Sequence, residues 1–145
     1  RALGEGRVPE AWRAALGPSC RPLGAWVAGL QERAAWLRSW AGRPEPPPCF
    51  WPSRLLSPRG LLTSALQGFA RQSGLELDDL YFEHEVLPSL GDPEQVQHGP
   101  TMGIYLGGTF LEAGRWDAEG QRLEDCRPGE LLARMPVVLF QPATT

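Results

Sequence analysis

Residues 103–117 read GIYLGGTFLEAGRWD, and this stretch decides the fold. Side chains from Ile104 to Leu111 alternate between two sides, which predicts a β-strand. The Gly107-Gly108 pair within that alternation indicates a bend or a close approach of another part of the backbone. The second half of the chain is therefore expected to be β-structure.

The cluster Arg115-Trp116-Asp117 closes this stretch. An arginine beside an indole can stack on it, and the aspartate can hold the guanidinium or cap the turn that follows. The cluster is either a docking patch or a structural corner that closes the sheet, and the corner is the favoured interpretation.

Three further strands are predicted around this one. Leu80–Val86 alternates as a half-buried strand, with His84 facing inward as a hydrogen-bonded core residue and the glutamates on either side of it in water. Gln121–Leu123 can return as a strand after a turn, and Val137–Phe140 is apolar on both sides, which favours a central or covered position. Leu90–Met102 is predicted to be a loop.

The first half of the chain is predicted to be helical. A short helix runs from Val8 to Leu16, and a long one from Pro22 to Trp40. A third follows Ser57, which is placed to cap it, and stops at Gly74. Between the last two helices, residues 44–48 read PEPPP, which favours a stiff spacer over a proline-motif ligand.

The long helix has an unusually wide apolar surface. Trp36 and Trp40 lie on a face adjacent to the main stripe, which is formed by Leu23, Trp26, Val27, Leu30, Ala34 and Leu37. Such a surface either meets the chain's own core or packs against a neighbour outside it, and the pattern favours neither. Trp26, Trp36 and Trp40 are the candidate docking residues.

The predicted fold class is α+β. N-terminal helices precede an antiparallel sheet that is expected to curl into a small β-barrel. With 145 residues the chain has the length of one domain, 1–145, with a mainly helical part at 1–75 and a β part at 76–145. It begins without a methionine, so a longer parent is expected.

Composition excludes several kinds of chemistry. All 14 basic residues are arginine, so neither a Walker-type phosphate loop nor a Schiff-base lysine can be built. A net charge of −3 argues against nucleic-acid binding. No catalytic, cofactor or metal site is predicted, and Cys20, Cys49 and Cys126 are interpreted as ordinary reduced thiols.

The same stretch, 103–117, resembles a signature strand in the C-terminal domains of dynein heavy chains, with the alanine and glycine at 113 and 114 exchanged. Other landmarks follow in the family's order, and the Phe-Trp and Arg-Trp-Asp forms resemble the axonemal class. The residues that carry the resemblance are Phe50, Trp51, Leu62, Thr63, Gly103, Tyr105, Phe110, Leu111, Arg115, Trp116, Asp117, Met135 and Pro136.

The resemblance implies a non-catalytic structural and regulatory domain of a microtubule motor. Such a domain packs on the AAA+ ring of the same heavy chain and meets other dynein subunits indirectly, with no nucleic acid or membrane as partner. ATP and magnesium are then expected only in upstream ATPase modules. The implied location is the cytoplasm and the cytoskeleton of a ciliary or flagellar axoneme.

Departures from the family pattern leave an alternative function open. Residues 52–56 replace a run rich in glycine and aromatic residues, the loop before Gly103 is longer, and lysine is missing. These differences indicate a divergent heavy chain, which could serve as a scaffold for axoneme assembly without motor activity. A ligand-binding barrel or small enzyme is a third hypothesis, supported only by the expected curl of the sheet and a few polar side chains.

Overall fold

A computed structural model of the protein describes residues 23–55 and 57–145. The helix predicted from Val8 to Leu16 and the thiol of Cys20 lie outside these residues. The polypeptide divides into two compact units with the boundary between Glu45 and Pro46. That boundary differs from the one between the helical part and the β part, because the second helix of the structure belongs to the same unit as the strands.

The described part of the first unit contains one helix, α1 (Leu23–Ala41). The long predicted helix is thereby confirmed, and Gly42 ends it by donating its amide hydrogen to the carbonyl of Arg38. Along the whole of α1, all of which the structure describes, no residue is buried. The apolar stripe read from the sequence therefore remains at least partly open.

The second unit begins with helix α2 (Pro58–Ser73). Ser57 caps it as predicted, since its hydroxyl accepts a hydrogen bond of 3.3 Å from the amide of Gly60. Pro58 occupies the first turn, where no amide hydrogen is needed, and Gly74 ends the helix in the left-handed conformation with φ of 67°. Ala70 is the buried residue of α2, which packs beside the first strand.

Seven strands follow and form three small antiparallel sheets. A three-stranded sheet has the order β1–β7–β2, and the pairs β3–β6 and β4–β5 form the other two. Their bounds are β1 (Leu80–Leu87), β2 (Ile104–Leu106), β3 (Phe110–Glu112), β4 (Gly114–Asp117), β5 (Arg122–Asp125), β6 (Leu132–Arg134) and β7 (Val137–Thr144). The α+β class is confirmed.

The closing strand β7 is central, as its apolar character predicts. It pairs with β1 along its whole length and with β2 opposite residues 138–140. Val137 at its start is fully buried. Pro142 fits in β7 because β2 ends opposite Phe140, and beyond that point only β1 needs a ladder partner.

The single strand predicted through Gly107-Gly108 is two strands in different sheets. β2 joins β7, whereas β3 joins β6, and the backbone changes direction at Gly108, where φ is +68°. A left-handed residue cannot continue a ladder, so the strand breaks. Within residues 23–55 and 57–145 the sheets do not close, and the expected β-barrel is not confirmed.

His84 is exposed on β1, so its predicted inward, hydrogen-bonded position is wrong. It lies across the ladder from Phe140, and the two rings meet edge to face with centroids 4.5 Å apart. An aromatic edge contact satisfies an imidazole that keeps access to water, so no buried polar partner is required. Glu83 and Glu85 are exposed as predicted.

The loop from Leu90 to Met102 contains no strand, as predicted, but it is anchored. Two 3₁₀ turns, Pro88–Leu90 and Pro93–Gln95, shape its start. Pro93 is buried, and the carboxylate of Asp92 accepts the amide hydrogen of Glu94. As for membranes, neither α1 nor α2 has the length and apolar character that a membrane-spanning helix requires.

The Ser57 cap provides a test of how α2 is held. Ser57→Ala leaves the amide of Gly60 without this acceptor, so the free energy of unfolding should fall by about 1 kcal/mol. Urea denaturation followed by circular dichroism measures the change. Ser64→Ala, at an exposed position inside α2, is the control and should leave stability the same or slightly higher. Equal losses in both variants would show that the cap contributes nothing.

Candidate functional site

The signature residues of the second unit meet around the start of β2. The amide of Phe50 donates to the carbonyl of Tyr105 at 2.8 Å, and the amide of Gly107 donates to the carbonyl of Phe50 at 2.9 Å. Phe50 thus extends the sheet by one parallel bridge to Leu106 and is 6% exposed. The Phe-Trp and Gly-aromatic landmarks, far apart in sequence, are joined by backbone hydrogen bonds.

The indole of Trp51 packs directly on the backbone of Gly108. A β-carbon at residue 108 would overlap the six-membered ring, and the backbone there has positive φ. The close approach that the glycine pair indicates is therefore made by Trp51. Gly107 is equally confined, because a β-carbon there would lie 2.9 Å from the sulfur of Cys49 and closer still to Pro93.

Two arginines flank the same indole. The guanidinium carbon of Arg54 lies 4.2 Å from the Trp51 ring centre, and that of Arg134 lies 5.9 Å away. Both distances are within the range of cation–π attraction. Each arginine also holds the 88–95 turns, since Arg54 pairs with Glu94 and Arg134 with Asp92, both at 3.2 Å.

We call the set Trp51, Gly108, Arg54 and Arg134 the Trp51 clamp. It joins the segment after Phe50, the bend between β2 and β3, the strand β6 and the loop after β1. Sequence reasoning named Trp51 and suspected the glycines but missed both arginines. No local spacing connects residues 54 and 134, so only the arginine richness of the sequence hinted at such stacking.

Other signature residues hold the ends of the central sheet. Gly103 has φ of +88°, and a β-carbon there would overlap the carbonyl oxygen of Phe140 on β7. The amide of Met135 donates to the carbonyl of Thr109 at 3.0 Å, and Pro136 leads into β7. These positions fix how β2 and β6 enter their sheets.

The Arg115-Trp116-Asp117 cluster lies on β4 and begins the turn to β5. Both carboxylate oxygens of Asp117 accept backbone hydrogens, from Glu119 at 3.1 Å and from Gly120 at 2.9 Å. Asp117 thus caps the turn, the second of the two roles open to it. Arg115 pairs instead with Glu124 on β5, with Nε and Oε1 3.3 Å apart. The cluster builds the β4–β5 hairpin.

Leu62 and Thr63 lie on α2, the helix capped by Ser57. Leu62 is half-buried, and the hydroxyl of exposed Thr63 donates to the carbonyl of Arg59 one turn earlier at 3.1 Å. Phe110 and Leu111 lie on β3, where Leu111 is half-buried and Phe110 is 59% exposed. These four signature residues lie on two elements, α2 and β3, of the second unit.

The candidate docking residues lie on α1 in the first unit. Trp26, Trp36 and Trp40 are each partly exposed, and the rings of Trp36 and Trp40 contact each other with centroids 5.4 Å apart. Leu30 on the same helix is 40% exposed. The helix therefore presents aromatic side chains at its surface, which is the property that a docking helix needs.

Cys49 is the most perturbed ionisable group among the described residues. It is 7% exposed, next to Phe50, and burial raises the pKa of its thiol to about 11. A protonated thiol is a poor nucleophile. Cys126 is half-buried, and both cysteines are free. In residues 23–55 and 57–145 no group of three His, Cys, Asp or Glu side chains has the arrangement of a metal site.

Comparison with known proteins accounts for this architecture. The family model for the C-terminal domain of the dynein heavy chain matches residues 1–145. Dynein axonemal heavy chain 1 of Mus musculus is 36% identical over 135 residues, 93% of this chain. The dynein beta chain of the flagellar outer arm of Chlamydomonas reinhardtii is 35% identical over 144 residues, 99% of this chain. The matched segment spans 3% of the length of each of these relatives.

The Trp51 clamp predicts a large cost for a single methyl group. In Gly108→Ala the new β-carbon must displace the indole in a left-handed backbone, so the free energy of unfolding should fall by about 2–5 kcal/mol. Thermal denaturation of the purified protein measures it. Gly68→Ala on α2 is the matched control, because open space surrounds that position and alanine favours a helix. A loss at Gly108 no larger than that at Gly68 contradicts the clamp.

The raised pKa of Cys49 predicts a pH dependence of stability. The folded thiol holds its proton up to about pH 11, whereas the unfolded one loses it near 9.0. The free energy of unfolding is thus unaffected by this group below pH 9 and falls between pH 9 and 11, by about 3 kcal/mol if the full shift applies. Urea titrations across this range measure the slope. Cys49→Ala should flatten it, and an unchanged slope would contradict the burial of this thiol.

Proposed function

The chain belongs to the family of dynein heavy chain domains that lie at the C-terminus, and from that membership we propose that it is a non-catalytic structural and regulatory domain of a microtubule motor. It packs on the ring of ATPase modules of the same heavy chain and influences how the motions of the ring are transmitted. The family match over residues 1–145 is the observation that carries the proposal.

The relatives favour an axonemal setting. Their names include axonemal heavy chains 1, 2 and 6 and flagellar heavy chains of the outer and inner arms. We therefore place the protein in the cytoplasm, on the cytoskeleton of a ciliary or flagellar axoneme. Other dynein subunits are reached through the heavy chain, and neither nucleic acid nor membrane is a partner.

The chemistry of ATP belongs to another part of the heavy chain. No lysine is available in residues 1–145 to bind nucleotide phosphates in a Walker loop, and the most buried thiol is held protonated. Magnesium and ATP are accordingly bound by the upstream ATPase modules. The relatives, of which this segment spans 3–4%, have ample length for such modules.

The contact with the ring is assigned to α1. A helix without a buried residue that carries three partly exposed tryptophans has the composition of an interface core, where aromatic side chains are enriched. Docking would remove these rings from water. Trp26, Trp36 and Trp40 are the residues we assign to this contact.

A scaffold for axoneme assembly is the second candidate function. Residues 52–56 depart from the family pattern, and the absence of lysine is unusual. Both candidates keep the same domain and the same docking, so the nucleotide-binding motifs of the upstream modules discriminate between them. Intact Walker lysines and catalytic glutamates indicate a motor, whereas their loss indicates a scaffold.

Replacing the three tryptophans tests the docking of α1. In the full-length heavy chain, a variant with Trp26→Gln, Trp36→Gln and Trp40→Gln should lose contact with the ring. The α1 amides should then exchange with deuterium about tenfold faster or more, as measured by mass spectrometry on α1 peptides. The α2 peptides of the same protein are the internal reference.

The matched control places the same three glutamines on α1 at exposed alanines, Ala25, Ala28 and Ala35. It changes helix propensity and polarity without removing an indole, so exchange should stay near that of the parent. Equal acceleration in both variants would show that α1 frays for local reasons. Unchanged exchange in the tryptophan variant would refute docking through these residues.

A further inference from the structure

The two-stranded sheet β3–β6 is apolar on both faces. On one face Leu111 pairs with Ala133, which is 6% exposed, so this side packs into the unit. On the other face Phe110 and Leu132 lie diagonally across the ladder, 59% and 61% exposed. Antiparallel sheets with one wet face normally have polar residues there, so a second apolar face indicates a second covering layer.

We infer that Phe110 and Leu132, the β3–β6 face, form a second contact surface that binds an apolar segment of the same heavy chain outside these 145 residues. The inference rests on the proposed function, since it requires these residues to be one domain of a larger polypeptide. It deepens that proposal by assigning a surface of the second unit to a contact, whereas the docking residues on α1 belong to the first unit.

The small size of the face favours a tethered partner. Phe110, Leu132 and the neighbouring Leu131, which is 82% exposed, offer far less than the roughly 800 Å² per partner of a stable complex. A second copy or a free protein would need more area to bind. A segment of the same polypeptide is held at an effective concentration that reaches the millimolar range for short linkers, so a few side chains suffice.

The length of the relatives makes such a segment available. They match this chain over 93–99% of its residues, while the match covers 3–4% of their own length. A domain of this size in a heavy chain therefore has a far larger body beside it. In that setting, apolar side chains on the surface of the isolated domain are expected where it meets the body.

Charge on the face narrows the chemistry of the occupant. Arg134 lies opposite Phe110 but is engaged by Asp92 and the Trp51 ring. Glu112, opposite Leu132, is exposed and contributes a negative charge beside the apolar diagonal. The complementary segment is an apolar element flanked by an arginine or a lysine.

Photo-cross-linking in the full-length heavy chain tests the inference. Phe110→p-benzoylphenylalanine places the reactive group on the face at little change in shape. Irradiation should join it, within one molecule, to a peptide outside the 145 residues. Tyr81→p-benzoylphenylalanine is the control, because Tyr81 is an aromatic residue of β1 that is 44% exposed and belongs to a different sheet.

The outcomes separate the partners. A cis cross-link well above the Tyr81 background supports the inference. Cross-links between two copies, cross-links to a different protein, or a yield no higher than background overturn it. Trp36→p-benzoylphenylalanine on α1 tests the proposed function in parallel: cis cross-links from Trp36 without any from Phe110 refute only the inference, and none from either position refutes both.

A second substitution checks that the face acts as a unit. In the Phe110 cross-linking protein, Leu132→Thr should lower the yield several-fold, since it removes the other apolar member while keeping a strand-forming residue. Leu123→Thr is the matched control, because this leucine is also on a strand and is 62% exposed but lies on the β4–β5 sheet. Equal yields in the two variants would overturn the role of Leu132.

Discussion

The indole of Trp51 occupies the space that any side chain at residue 108 would need, and the second unit is arranged around that contact. Because Gly108 is left-handed, the backbone turns there, and β2 and β3 enter different sheets. The rings and cations around Trp51 then bring β6 and the turns at 88–95 to the same place. One steric requirement thus determines the path of several segments.

The clamp uses arginine for a reason that the composition makes clear. A planar guanidinium can stack on an indole and pair with a carboxylate at the same time, which the compact ammonium of lysine does less well. Arg54 and Arg134 both do this, to Glu94 and Asp92. The ion pairs are partly exposed and contribute little individually, so the stacking and the steric fit at Gly108 dominate.

The distribution of apolar surface is consistent with the domain of a larger protein. Few of the described residues are strongly buried, and their core is small, while large apolar side chains remain exposed on β3, β5 and β6. The relatives that share this domain are very long polypeptides, in which it represents a small part. A domain that shares its apolar surface with a larger body has less need for a deep core of its own.

Local rules in the sequence determined the elements themselves. Ser57 and Gly74 bound α2, alternation gave β1, the apolar run at 137–140 gave a central strand, and the ordered landmarks gave the family. What they share is a physical cause within a few residues. Only the tertiary structure decided the rest. It exposed His84, split the predicted strand at Gly108, left the sheets unclosed and put Arg54 and Arg134 on Trp51, because each of these depends on groups far apart in the sequence that no local period relates.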